Sequence, residues 1–75
     1  MTILQRFPAS RILIYADDHL LPHVHIKLRD GRECRVEIDS LKIQGRIATH
    51  EIRDELAWIT AHRRFLLDEW RRYNP

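Results

Sequence analysis

The clearest alternation of apolar and polar residues in the chain runs from His23 to Arg29. Val24, Ile26 and Leu28 fall on one side; His23, His25, Lys27 and Arg29 fall on the other. A period of two is that of a strand with one face on a core. A second alternation runs from Arg32 to Ile38, with Cys34, Val36 and Ile38 on the apolar side and Glu33, Arg35 and Glu37 on the polar side. Parity fixes the turn between them. A two-residue loop at Asp30-Gly31 would set Leu28 against Glu33 and mix core with solvent. A three-residue loop, Arg29-Asp30-Gly31, sets Ile26 against Cys34 and Val24 against Val36. It predicts a type I turn with a bulge and Gly31 in the left-handed position. The polar side then pairs His23 with Glu37, His25 with Arg35, and Lys27 with Glu33.

Arg11 to Ala16, rich in β-formers, predicts a strand before these two. Leu41 to Ile43 predicts a short strand after an Asp39-Ser40 turn, broken by Gln44-Gly45-Arg46. The remainder reads as helix. Thr49 is the expected N-cap, with Glu51, Asp54 and Glu55 in the first turns and Arg71 and Arg72 in the last. Ile52, Leu56, Ile59, Leu66, Trp70 and Tyr73 keep helical spacing, but Arg63 falls near the middle of their stripe. A cation there predicts that the helix breaks near Ala61–Arg63, or that Arg63 reaches a polar group at the core edge, or that it snorkels. The tryptophans and Phe65 are expected in the core. The fold class is α+β: a small antiparallel sheet of three to four strands, then a C-terminal helix, in one domain spanning 1–75.

At 75 residues the chain is short for a self-sufficient core, so a partner, a homodimer or a bound ion would add stability. A content of 44% hydrophobic and 32% charged residues excludes a disordered tail. The net charge of +2 is small, but eleven of the thirteen cations are arginine, which suits bidentate contact with carboxylate or phosphate. Nearly balancing acids make an ordinary solvated surface the plainer reading. Cys34 is the sole cysteine, which excludes an internal disulfide and fits a reducing cytoplasm. No apolar run predicts a membrane span or a signal peptide.

Three chemistries fit the polar side of the hairpin. His23 and His25 on one strand face can ligate a divalent metal, with His19 or Glu37 completing the set. The same pair can exchange protons near neutrality, with Lys27 or Arg35 stabilising a phosphorane-like charge and Glu37 orienting His23. Or the histidines are ordinary cross-strand neighbours on a wet face. His-Val-His-Ile is similar to the motif of histidine-triad nucleotide hydrolases. That family is excluded, because its third histidine falls at Lys27 and the chain is too short for its fold.

Tyr15-Ala16-Asp17-Asp18-His19-Leu20-Leu21-Pro22-His23-Val24-His25-Ile26 resembles the hallmark of a small bacterial family, domain of unknown function 4160. Trp58 to Trp70 resembles that family's closing helix. The chain departs from the pattern at Leu21, where a further proline is common, and at His62, where asparagine is common. The family's genes often neighbour one encoding domain of unknown function 2442. The resemblance therefore implies a toxin–antitoxin-like module with a small protein partner, and carries His19, His23 and His25 over as its site. It leaves open whether they cleave RNA, bind metal or form an interface.

Overall fold

A computed structural model describes residues 1–16 and 21–75. Five antiparallel strands form a meander in chain order: β1 (Thr2–Phe7), β2 (Ser10–Ile14), β3 (His23–Leu28), β4 (Glu33–Glu37) and β5 (Ile43–Gly45). A 3-10 turn, Thr49–Ile52, leads into α1 (Arg53–Ala61) and α2 (Arg63–Tyr73). The α+β class is as expected, with one strand more than the three to four the sequence predicts. Among the described residues, no helix is long and apolar enough to cross a membrane.

The additional strand is β1, whose alternation is broken. Ile3 pairs with Leu13 and Gln5 with Ile12, so Leu4 is an inserted residue that reverses the parity midway. Phe7 pairs with Ser10 across a two-residue turn at Pro8-Ala9.

The β3–β4 hairpin has the register that parity requires: His23 faces Glu37, Val24 faces Val36, His25 faces Arg35, Ile26 faces Cys34 and Lys27 faces Glu33. Gly31 has φ +97°, and its N–H donates to the Leu28 carbonyl at 3.0 Å. After β4 the turn is longer than Asp39-Ser40. Leu41 takes a left-handed φ of +62° and donates its N–H to Glu37 O at 2.9 Å, so the last strand starts at Ile43. Gln44 and Gly45 belong to that strand instead of breaking it. Gly45 lies directly against Cys34, where a side chain could not fit.

Ile12, Ile14, Val24, Ile26, Cys34 and Val36 share one sheet face and meet Ile52, Ile59 and Leu66 from the helical segment. Ser10 Oγ donates to buried Glu55 at 2.5 Å, tying β2 to α1 at the edge of this core. Cys34 is buried in this core, as expected, and that burial pushes its thiol up to about 11. The helix breaks at His62, whose φ is −121° and ψ 24°, and just beyond it the Arg63 Nε donates to the Ile38 carbonyl at 3.0 Å. Trp58 and Trp70 pack on the core, but Phe65 is 45% exposed, because α2 turns that side outward beyond the break.

Ala48, not Thr49, is the N-cap of the 3-10 turn. Glu51 reaches back to the Ala48 N–H at 2.8 Å and accepts from Arg32, whose Nη2 lies 2.8 Å from Oε1. Arg32 also binds Asp30 and the Arg46 carbonyl, so it ties the hairpin loop to the helix start. Arg32 first, and the Ala48 N–H second, hold the Glu51 carboxyl at about 2, below its usual 4.5. A carboxyl lowered in the folded state stabilises above its ordinary value, and that contribution is lost as pH falls toward the lowered one. Thermal unfolding of the native chain is thus expected to drop between pH 4.5 and about 2 more steeply than that of Glu51→Gln. Parallel curves for the two would contradict this.

Candidate functional site

Proline and register together deliver the histidines. Pro22 disfavours helix at Leu21 and carries the chain into β3 extended. The Ile38 N–H donates to the Pro22 carbonyl at 3.1 Å, which fixes the entry beside the end of β4. His23 follows immediately and His25 two residues on, both on the face opposite the main core.

His25 Nδ1 lies 3.3 Å from Glu33 Oε2. Glu33 is not the residue opposite His25 but the diagonal one, within reach of long side chains on the same face. The Tyr15 hydroxyl donates to the other oxygen, Oε1, at 3.3 Å. Its ring meets His25 edge-on, with centroids 4.4 Å apart. One carboxylate is thus held between a phenol and an imidazole. A carboxylate at Nδ1 fixes the ring's orientation and tautomer and supports the imidazolium when it forms. Burial, and then the Glu33 charge, push the Tyr15 phenol above its usual value, so the phenol stays a donor at neutral pH.

His23 is 2% exposed. Its Nδ1 lies 2.6 Å from the Leu21 carbonyl. A carbonyl can only accept, so Nδ1 carries a proton, and this bond fixes the orientation of the ring. The two imidazoles meet edge-on at 5.1 Å, and Trp70 of α2 lies 6.4 Å from His23. Leu21, His23, Arg35, Glu37 and Gln44 line an open cleft of about 150 Å³. Arg35 donates from Nε and Nη2 to Gln44 Oε1 on β5, the Nε contact being 3.0 Å. Glu37 accepts from Ser40 Oγ at 2.8 Å.

The fold therefore brings together His23, Arg35 and Glu37 around one cleft, with His25 as its neighbour. Lys27 lies farther along β3 and lines a different cleft. His19 lies outside the described residues. One expectation is corrected. The histidines do not stand on a wet face: His25 is 14% exposed and His23 less. Tyr15 and Trp70, which the hairpin alone does not include, wall them in. Sequence reasoning also missed Tyr15, Glu33 and Gln44. Tyr15 and Glu33 share the parity of the histidine face, so a search of diagonal neighbours would have found Glu33.

For the metal reading, His23 and His25 lie side by side, with ring centroids 5.1 Å apart, while His19, an expected third ligand, lies outside the described residues. Among the described residues, no three His, Cys, Asp or Glu side chains form a group that could hold an ion.

The model of one protein family, described as domain of unknown function (DUF4160), matches residues 10–71. No curated protein and no solved structure matches the chain.

Proposed function

The chain belongs to the DUF4160 family, and on that premise we propose that it is the toxin-like member of a small two-gene bacterial module, cleaving RNA by proton transfer at its histidine site. The observation that carries this reading is the His25–Glu33 contact at 3.3 Å, with His23 edge-on beside it. It supplies two imidazoles for one reaction centre, one of them oriented by a carboxylate. In the reaction, a ribose 2′-oxygen attacks the adjacent phosphorus as His25 takes its proton. The bond from phosphorus to the 5′-oxygen breaks, and protonated His23 gives that oxygen its proton. The product is a 2′,3′-cyclic phosphate. Arg35, opposite His25, stabilises the charge on the phosphoryl oxygens in the transition state. His19 is the third site residue implied by the resemblance. A small antitoxin-like protein restrains the activity in the cell, and the domain works in the cytoplasm.

A second reading has an observation of its own. Leu21 is 68% exposed at the lip of the histidine cleft, which suits contact with a partner protein. In that reading the histidines shape an interface, or hold a metal with His19, without chemistry.

Inducible expression of the native chain alone is expected to arrest bacterial growth, and the double exchange His23→Ala/His25→Ala to restore it. His25→Asn, at the more exposed position, guards against a simple folding failure. Full toxicity in soluble, folded variants would remove the catalytic reading. A stable partner complex weakened by Leu21→Ser, with no growth effect from either chain, would favour the second.

A further inference from the structure

Past His25 on the same sheet face, the residues across three strands are all cations. Arg6 on β1 is paired with Arg11 on β2, and Arg11 with Lys27 on β3. Like charges set directly opposite one another destabilise a sheet. The acid at the end of this row, Glu33, is taken up by His25 and Tyr15. Arg29 joins the group through its N–H, which donates to Ala9 O at 2.8 Å and holds it beside the Pro8-Ala9 turn.

Arg6, Arg11, Lys27 and Arg29 line one cleft of about 220 Å³, and no acidic residue lines it with them. Among the described residues none of the four is ion-paired with a carboxylate. Arg11 Nε is buried there with no hydrogen-bond partner. A buried guanidinium N–H without an acceptor is costly, and an anion rich in oxygens would satisfy it. Lys27 is two residues from His25, about 7 Å along the strand.

We infer that this cleft binds backbone phosphates of a single-stranded RNA, next to the phosphate engaged by the histidines. The inference rests on the RNA reading above and adds its second subsite. Its contacts carry no base information, so they set position and affinity but not sequence preference.

The test uses a fluorescent 2′-O-methyl RNA oligonucleotide, which has no free 2′-hydroxyl and cannot be cleaved by this chemistry. Its binding is followed by anisotropy over a range of salt. Arg11→Gln/Lys27→Gln is expected to weaken binding on the order of tenfold and to flatten the salt dependence by about 1.4 units of slope, about 0.7 for each lost contact to a single strand. Arg71→Gln/Arg72→Gln, which removes the same charge from exposed positions on α2, is the control and is expected to bind as the native chain does. Equal losses in the two variants, or none in either, would overturn the inference. So would displacement of the RNA by poly-glutamate at equal charge concentration, which would make the cleft a site for acidic protein. The two claims fail separately. Cleft-dependent binding without cleavage of ordinary RNA would sink the histidine chemistry and keep the subsite. Cleavage lost in His25→Ala with binding indifferent to Arg11 and Lys27 would do the reverse.

Discussion

Gly45→Ala is expected to lower the stability of the fold by about 2–6 kcal/mol, combining backbone strain with overpacking. A Cβ at this position would lie 2.9 Å from Cys34 Cβ and 3.0 Å from both Cys34 Cα and the Glu33 carbonyl oxygen. Two of those atoms are backbone, so relief requires β4 and β5 to move apart. The φ of +141° adds strain of its own for any L side chain. A domain of this length has a total stability of only about 4–11 kcal/mol, so the exchange removes a large share of it. Gly31→Ala is the comparison. Its Cβ would meet nothing within 4 Å, and its φ of +97° leaves a cost of about 1–2 kcal/mol. Urea midpoints for the two variants check the prediction, and equal losses would contradict it. The effect reaches the site, because Gln44, which receives Arg35, sits on the same short strand.

The second large effect falls on the proposed reaction. His25→Ala is expected to slow RNA cleavage by about 10²–10⁴-fold, the usual span for a lost acid–base group. Glu33→Gln keeps the shape and one acceptor oxygen but removes the charge that supports the imidazolium. It is expected to lower kcat by about tenfold or more with KM little changed, since that support is needed chiefly in the transition state. Tyr15→Phe keeps the ring on His25 and removes only the hydroxyl that reaches Glu33, so its loss is expected to be smaller than that of Glu33→Gln. Single-turnover rates and KM for the three variants, with circular dichroism as the check on folding, decide the order. A Tyr15→Phe defect larger than that of Glu33→Gln would contradict the positioning role of the carboxylate.

What the sequence made legible was whatever local parity controls. The register of β3 and β4 followed from matching apolar positions, and Gly31 from the loop length that this register demands. The helix break followed from one cation, Arg63, in an apolar stripe. β1 was hidden because the Leu4 insertion spoils its period. Gly45 looked like a breaker because the chain alone does not show that another strand lies against it. The site was half legible for the same reason. His23, His25, Arg35 and Glu37 were placed by the hairpin, but the burial of the imidazoles comes from Tyr15 and from Trp70, near the far end of the chain. Arg35 stands opposite His25, as expected, but the carboxylate that His25 meets is the diagonal Glu33, which a count of opposed residues does not reach.

The central claim is that the histidine site transfers protons during RNA cleavage without a metal. Its most direct test is to incubate the purified, untagged chain with single-stranded RNA in excess chelator and to identify the new 3′ ends. The account predicts cleavage that leaves 2′,3′-cyclic phosphates and is lost in His25→Ala. RNA that stays intact, or that is cut only when a divalent ion is restored, would contradict it.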